Sequence, residues 1–264
     1  MLNYPSFDPV AFRWGALQVH WYGIMYLIGF GAAWLLGHYR IKKQSANLWK
    51  AAMMDDLLFY GAIGVVLGGR LGYVLFYDLV FYWQHPQTIL YIWQGGMSFH
   101  GGLVGVLVAL AIFAKQKHLS YWVVSDFVAP LVPIGLGVGR LGNFINGELW
   151  GKVSSVPWAM VFPQGGPLPR HPSQLYEALL EGVVLFLIIW CYTAKPKPVG
   201  AASGLFLIYY GIFRCFSEFF RQPDIQWGYL AWHWVTMGQL LSIPMVFLGV
   251  FLWVKSTKYP ISSL

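Results

Sequence analysis

The sequence predicts an all-α, polytopic membrane protein with seven transmembrane helices, and three observations lead to this fold class. The 264 residues are 58% hydrophobic and 19% aromatic. Charged residues make up only 10% of the chain, whereas a soluble domain carries about 25%. Seven apolar runs are each long enough to cross a hydrocarbon core of about 30 Å as a helix.

The predicted helices follow one another along the whole chain. Their bounds are 19–39, 55–77, 97–114, 121–144, 174–193, 200–221 and 237–254. No long linker separates them, so we expect one integral membrane domain over residues 1–264, with residues 145–173 inserted as a loop or small head region. The opening residues 1–5 contain no basic stretch leading into an apolar core, and no cleavable signal peptide is expected.

The orientation follows from the basic residues, which are concentrated after the first, third, fifth and seventh helices. Cytoplasmic connections are enriched in Lys and Arg, so the N-terminus is expected outside and the C-terminus in the cytoplasm. The cytoplasmic set is Arg40, Lys42, Lys43, Lys50, Lys115, Lys117, Lys195, Lys197, Lys255 and Lys258. The opposite side has only Arg13, Lys152 and Arg170, together with a predicted interfacial belt of Trp83, Tyr91, Trp93, Trp227 and Trp232.

Four arginines lie inside the predicted spans, where ionisable groups are costly and usually mark function. At about 1.5 Å per residue, Arg70, Arg140 and Arg214 lie about 20–30 Å above the inner ends of their helices, in the outer leaflet. Glu218 and the fourth arginine, Arg221, lie higher still. A purely structural role, with the side chain reaching up to water, stays open above all for Arg70.

The helices that run inward carry their polar residues at the same outer depth, while the inner halves of all seven are almost wholly apolar. These outer residues are His20, Tyr22, His100, His171, Ser173 and Gln174. The convergence predicts one outward-opening polar site. The stretch G-R-L-G-N-F-I-N-G-E at 139–148 forms one wall of it.

A cluster of arginines at this depth is suited to a lipid phosphate, because guanidinium binds phosphate oxygens with paired hydrogen bonds. Neutral polar side chains would hold headgroup hydroxyls: Tyr22, Asn143, Asn146 and Gln174. The residues therefore indicate an enzyme or a transporter acting on an anionic phospholipid, and no nucleic-acid partner. A transporter or scramblase needs a path through the inner half, which the apolar inner halves disfavour, although Pro130 and Pro133 leave room for one.

Other kinds of site are disfavoured. The histidines show no H-x-x-x-H or H-E-x-x-H spacing, so a metal site is not expected. No cofactor is expected either. His38, His85 and His118 are expected to be solvated, and His233 has no assigned role. The stretch G-M-S-F at 96–99 resembles an intramembrane serine protease motif, but Ser98 and His100 are two residues apart and would point in different directions. Cys191 and Cys215 lie in apolar runs and are expected to be small buried packing residues without a disulfide.

The stretch at 139–148 resembles the signature of the prolipoprotein diacylglyceryl transferases. Further matching segments are H-W-Y-G at 20–23, G-G-R-L-G-Y at 68–73, G-G-M-S-F-H-G-G at 95–102, R-H-P-S-Q-L-Y-E at 170–177, E-F-F-R-Q-P-D at 218–224 and M-G-Q-L-L-S-I-P-M at 237–245. The resemblance spans nearly the whole chain. The loop between Gly151 and Arg170 is shorter than is usual in the family.

The resemblance implies an enzyme of the bacterial inner membrane, with a small periplasmic head and its active site towards the periplasmic leaflet. It would move the diacylglyceryl group of phosphatidylglycerol to the thiol of the lipobox cysteine in a prolipoprotein signal peptide, forming a thioether and releasing glycerol phosphate. The nucleophile would belong to the substrate, so neither Cys191 nor Cys215 is required.

The roles expected of the site residues follow from this reaction. His100 is expected to be the general base for the thiol, because an unperturbed imidazole is mostly neutral at neutral pH and able to accept a proton. Glu148 is expected to pair with one of the arginines. The catalytic residues are then His100, Arg140 and Arg214, and the substrate-binding residues are Tyr22, Arg70, Asn143, Asn146, Glu148, Gln174, Glu218 and Arg221.

Overall fold

The structure is a computed structural model that describes residues 2–5, 7–15, 17–43, 48–223, 228–232 and 234–257. Most of this part of the chain is helical. Trp227 of the expected interfacial belt, His233 and Lys258 lie outside the described residues.

Helices occupy all seven of the segments that the apolar runs predicted. The long ones are α1 (Trp21–Lys43), α2 (Ala51–Phe76), α4 (Phe99–Gln116), α9 (Ala201–Glu218) and α10 (Met237–Thr257). Shorter ones are α3 (Leu79–Gln84), α5 (Tyr121–Val128), α6 (Val132–Ile145), α7 (Ser173–Glu177) and α8 (Leu185–Tyr192). Two 3₁₀ turns, Pro86–Leu90 and Ile92–Gln94, lie between α3 and α4, and a π-helical segment, Ala178–Val184, joins α7 to α8.

Four helical segments of the described chain are long and apolar enough to cross a membrane: Ala51–Phe76, Phe99–Gln116, Ser173–Tyr192 and Met237–Ser256. A fifth candidate is the pair α5 and α6, if the two form one broken span. Helices α1 and α9 have the expected positions but are not among these candidates. The chain is thus a polytopic helical membrane protein, and the count of seven spans and the orientation of the termini stay predictions.

The fourth predicted run is not one straight helix. Helices α5 and α6 meet at an angle of 49°. Pro130 lies in the break and Pro133 in the first turn of α6. A proline lacks the backbone N–H that a continuous helix needs and its ring clashes with the preceding turn, which explains a bend at this point.

Within the described residues, four short strands add a small β component that was not predicted. Strand β1 (Leu2–Asn3) pairs in parallel with β4 (Met160–Val161), and β2 (Val10–Trp14) pairs antiparallel with β3 (Leu17–His20). The β1–β4 pair ties the start of the chain to the segment between α6 and α7. The two-residue strands β1 and β4 are too short to carry an alternating pattern, whereas the alternation L-Q-V-H of β3 was a signal that sequence reasoning missed.

The helices group into two compact units. The first contains Met1–Leu36 and Asp126–Leu264, and the second contains Gly37–Ser125. In the second unit α2 packs against α4 through glycines, since a Cβ on Gly68 would collide with the carbonyl oxygen of Gly101. Small residues of this kind allow membrane helices to approach closely.

In the first unit a similar contact joins α6 to the π-helical segment. A Cβ added to Gly182 would lie 2.7 Å from the Cα of Gly137. Arg140 lies three residues after Gly137, on the same face of α6, and its Nη2 is 3.5 Å from Oε2 of Glu181, the residue before Gly182.

Candidate active site

Charged side chains from three stretches of the first unit meet in one cluster, which we call the Arg–Glu cluster. Helix α6 contributes one arginine, α7 and the π-helical segment contribute two glutamates, and α9 and its C-terminal end contribute the rest. The members are Arg140, Glu177, Glu181, Arg214, Glu218 and Arg221. Three guanidinium groups face three carboxylates, so the charges balance if all six groups are ionised.

Glu177 is the centre of this cluster because it reaches all three arginines. Its Oε2 lies 2.8 Å from Nε of Arg140, and its Oε1 lies 2.9 Å from Nη1 of Arg214. The same Oε1 is 4.0 Å from Nη1 of Arg221. Glu177 is only 1% exposed, so these contacts are shielded from water, and one carboxylate fixes the relative positions of the guanidinium groups.

Arg140 keeps hydrogen-bonding capacity that its partners do not use. Its Nε is bound to Glu177, and its Nη2 lies 3.5 Å from Oε2 of Glu181, at the limit of a hydrogen bond. Within the described part of the chain no hydrogen bond or ion pair reaches its Nη1. The side chain is 19% exposed, more than that of either other arginine in the cluster. Arg140 can therefore donate to an incoming anion without leaving Glu177.

Arg214 is more fully engaged than Arg140. It contacts Glu177 and Glu218 directly, with Glu181 Oε1 3.7 Å from its Nη1. Glu218 is fixed in turn, because the hydroxyl of Thr236 donates to its Oε2 at 2.6 Å. Because the Glu218 carboxylate is held by both Thr236 and Arg214, it keeps Arg214 in a fixed orientation when a ligand binds.

A second group of polar residues surrounds the end of α6. The amide nitrogen of Asn143 donates to the hydroxyl of Tyr22 at 2.7 Å and to Oε1 of Glu148 at 2.8 Å. Nε2 of Gln174 donates to the backbone carbonyl of Glu148 at 2.6 Å. Since the Tyr22 hydroxyl accepts from Asn143, its own proton remains to be donated. The Oε1 atom of Gln174 is buried and has no hydrogen-bond partner in the described residues, so it can accept a hydrogen bond from a ligand.

The expectation that Glu148 pairs with an arginine is wrong. In the described residues its carboxylate accepts from Asn143, and no arginine nitrogen lies within 4.0 Å of it. The backbone N–H of Glu148 donates to the carbonyl of Asn143 at 3.0 Å, so the chain turns sharply after α6 and directs Glu148 back to that helix. Asn146 caps α6 through its backbone. Its side chain makes no hydrogen bond to the part of the chain that is described, and its predicted substrate-binding role stays a prediction.

His171 lies at the start of the segment that carries the glutamates. Its Nδ1 is 3.0 Å from the hydroxyl of Tyr176, and that hydroxyl accepts from Nε1 of Trp158 at 2.6 Å. The Tyr176 proton is thus available to His171, which then accepts it in the neutral form. Burial lowers the pKa of His171 from its ordinary value, which also favours the neutral imidazole.

Two predicted site residues belong to the second unit. His100 is the second residue of α4 and its side chain is exposed. Arg70, on α2, is buried, and among the described residues its guanidinium donates only to backbone carbonyl oxygens of the segment that precedes α4. Arg70 therefore differs from Arg140 and Arg214, which face carboxylates.

Sequence reasoning missed the two central glutamates. Glu177 and Glu181 are four residues apart in an otherwise apolar stretch, so they share one helical face. Like the embedded arginines, acidic residues inside a predicted membrane span indicate function, so the sequence alone could have pointed to this pair. Thr236 was also missed, because nothing in its local sequence indicates a contact with Glu218. Cys215 is partly buried, but the expectation that Cys191 is buried is wrong, because it is exposed in the structure.

Comparison with known proteins gives consistent matches. A family model described as prolipoprotein diacylglyceryl transferase matches residues 9–255. A phosphatidylglycerol–prolipoprotein diacylglyceryl transferase of Pseudomonas paraeruginosa is 60% identical over 254 residues, which cover 96% of this chain and 95% of that protein. A protein of the same name from Coxiella burnetii is 59% identical and is covered over 97% of its length. The chain belongs to the prolipoprotein diacylglyceryl transferase family.

Proposed function

We propose that this protein transfers the diacylglyceryl group of phosphatidylglycerol to a prolipoprotein. The names of the relatives describe this activity. The observation in the structure that supports it most is the state of Arg140, a partly buried arginine held through Nε by Glu177 with Nη1 left for an anion. A phosphodiester is an anion of the right charge and geometry for such a group.

The phosphate of the lipid binds to the Arg–Glu cluster in this proposal. Arg140 makes the direct contact, and Arg214 adds positive charge from its fixed position between Glu177 and Glu218. Because the arginines are already oriented, little reorganisation is needed as negative charge develops on the departing phosphate. This agrees with the predicted catalytic roles of Arg140 and Arg214 and assigns Glu177 a positioning role.

The glycerol hydroxyls of the headgroup bind to the group around Asn143. The Tyr22 hydroxyl has a proton to donate, and Gln174 Oε1 has a vacant acceptor position. A diol needs both kinds of partner, since each hydroxyl is a donor and an acceptor. Asn143 and Glu148 then position Tyr22 rather than an arginine.

The transfer itself is a nucleophilic substitution at the carbon of the diacylglyceryl group that is bonded to a phosphate oxygen. The lipobox thiol loses its proton, its sulfur forms a bond to that carbon, and the carbon–oxygen bond breaks with its electron pair going to the phosphate. The products are a thioether and glycerol phosphate. His100 accepts the thiol proton, and its exposed position at the start of α4 leaves its ring nitrogens accessible. No cofactor takes part.

The reaction takes place at the periplasmic leaflet of the bacterial inner membrane, in a protein of seven spans with its N-terminus outside. The distribution of the basic residues supports this orientation. Trp83, Trp93 and Trp232, expected on the outer side, are 84%, 74% and 77% exposed, as suits side chains at a membrane interface. A reporter fused after the last residue tests the topology: we expect activity only from a cytoplasmic reporter, and an active periplasmic reporter would contradict it.

Mass spectrometry tests the proposed activity directly. Purified protein is incubated with phosphatidylglycerol and a peptide that contains a lipobox cysteine. We expect the mass of one diacylglyceryl group to be added to the cysteine, and none to a control peptide with serine in its place. If labelled phosphatidylglycerol instead crosses proteoliposome leaflets and the peptide keeps its mass, the protein is a lipid transporter and the proposal is wrong.

A further inference from the structure

Arg70 has an environment unlike that of the other embedded arginines. It is 5% exposed and lies on α2, within the second unit. Each of its guanidinium nitrogens donates to main-chain oxygens between 2.6 and 3.4 Å away. The five acceptors are the carbonyl oxygens of Thr88, Ile89, Tyr91, Gly95 and Gly96.

These contacts use the full hydrogen-bonding capacity of the side chain. A guanidinium has five N–H donors in a fixed planar arrangement. Nε donates to the carbonyl of Ile89, Nη1 donates to those of Gly95 and Gly96, and Nη2 donates to those of Thr88 and Tyr91. The ring of Tyr82 covers the guanidinium, with 5.1 Å between the Arg70 Cζ and the ring centroid. A phosphate would have to displace these partners to bind here.

The segment that Arg70 holds leads directly into the helix that carries His100. Just after the two glycines, the Ser98 N–H donates to the carbonyl of Gly69 at 2.8 Å, next to Arg70. The Ser98 side chain then caps α4 by accepting from the Gly101 N–H at 3.2 Å. The contacts of Arg70 with residues 88–96, followed by the hydrogen bonds of Ser98, therefore fix the start of α4 and with it the position of His100.

Gly96 shows how closely the segment fits around the arginine. A Cβ at this position would lie 2.8 Å from Arg70 Nη1 and 2.8 Å from the Tyr73 ring. At Gly95 no atom of the described residues lies within 4 Å of an added Cβ. Both glycines have positive φ, +87° at Gly95 and +76° at Gly96, so alanine is strained at either site and only the close fit at Gly96 distinguishes them.

We propose that Arg70 is a positioning residue that holds residues 88–98 and thereby places His100 for the transfer reaction. This revises the expected substrate-binding role of Arg70. The proposal rests on the proposed function, because the consequence for catalysis passes through His100.

Arg70→Lys is the main test, since lysine keeps the charge but has too few donors and the wrong geometry for five carbonyls. We measure kcat, KM for phosphatidylglycerol and amide hydrogen exchange of residues 86–102 in the full-length protein. Lys115→Gln, an exposed change in the last turn of α4, controls for a substitution in the same unit that does not touch residues 88–98. The pair Gly96→Ala and Gly95→Ala probes the same contact from the other side.

We expect Arg70→Lys to lower kcat about 10²-fold, as is usual for a small displacement of a catalytic group, with KM for the lipid unchanged. Exchange of residues 86–102 is expected to become faster, and Gly96→Ala is expected to impair the enzyme more than Gly95→Ala. A raised KM with unchanged kcat and exchange would show that Arg70 binds the headgroup. A lower kcat with unchanged exchange would also overturn the proposal.

The double variant Arg70→Lys with His100→Gln separates this proposal from the proposed function. If Arg70 acts through His100, the double variant is no slower than the slower single variant, and multiplied losses would contradict this. Failure of the assigned role of His100 is seen independently, as full activity of His100→Gln alone. Failure of the proposed function is seen as no transfer by the unmodified protein.

Discussion

Replacing Glu177 by glutamine tests the Arg–Glu cluster most specifically. The side chains are nearly the same size, but glutamine loses the negative charge and places an NH₂ group against one of the arginines. The substitution removes or weakens the ion pairs of Glu177 with Arg140 at 2.8 Å and with Arg214 at 2.9 Å. Removing one partner of a buried ion pair costs about 3–5 kcal/mol, and we expect the upper part of this range because Glu177 serves two arginines closely.

Two kinetic parameters should respond differently to Glu177→Gln. The cluster gains one net positive charge, so binding of the anionic lipid is not weakened and KM for phosphatidylglycerol should not rise. The arginines lose their common orientation, so kcat should fall about 10²-fold. Glu181→Gln is the matched control, since its carboxylate lies farther from the arginines, at 3.5 and 3.7 Å, and it should lose less.

Kinetics with the lipobox peptide and thermal unfolding in detergent provide the measurements. The reasoning fails if Glu177→Gln keeps the kcat and unfolding temperature of the unmodified protein. It also fails if Glu181→Gln is the more damaging change, because the distances would then not predict the importance of the ion pairs.

Three further predictions concern side chains outside the cluster. His100→Gln should be slow at neutral pH and recover as rising pH ionises the substrate thiol, whose reference pKa is about 8.5; a near-normal rate at neutral pH would exclude a base role. Glu148→Gln keeps an acceptor for Asn143, so kcat should fall less than about tenfold, as for one weakened hydrogen bond, whereas inactivity comparable to that of Arg140→Ala would indicate a role for the charge itself. Burial lowers the pKa of His171, so its contribution to stability is complete above the unfolded pKa of about 6.5 and is lost as pH falls toward the folded value. Unfolding temperatures are measured from about pH 7.5 to about pH 5, a range that brackets the unfolded pKa of histidine. Over this range the unfolding temperature of His171→Phe should fall less than that of the unmodified protein. Equal falls in the two proteins would contradict the lowered pKa of His171.

Hydropathy predicted the helical segments well, because an apolar run long enough to span a membrane has few other stable forms. It failed between α5 and α6, where Pro130 and Pro133 break one apolar run into two helices. The short strands β1 and β4 were also beyond its reach, since their pairing depends on contacts between residues distant in sequence.

The positions of the embedded charges along their helices could be predicted, but not their partners. Counting residues gives the position of Arg140 or Arg70 along its helix, while the direction in which each side chain points depends on how the helix is rotated in the fold. Arg140 faces Glu177, whereas Arg70 faces main-chain carbonyls. Glu148 illustrates the same limit, because a sharp turn after α6 directs it to Asn143.

The central claim is that Arg140 binds the lipid phosphate through its planar guanidinium, and kinetics of Arg140→Lys test it most directly. Lysine keeps the positive charge but cannot bind Glu177 and the phosphate with the same fixed arrangement. Normal folding is first confirmed by thermal unfolding, and diacylglyceryl transfer to the lipobox peptide is then measured beside Arg140→Ala. The account predicts that Arg140→Lys is nearly as inactive as Arg140→Ala, with a loss of about 10²–10³-fold in kcat. If a normally folded Arg140→Lys keeps most of its activity, charge alone is sufficient and the account is contradicted.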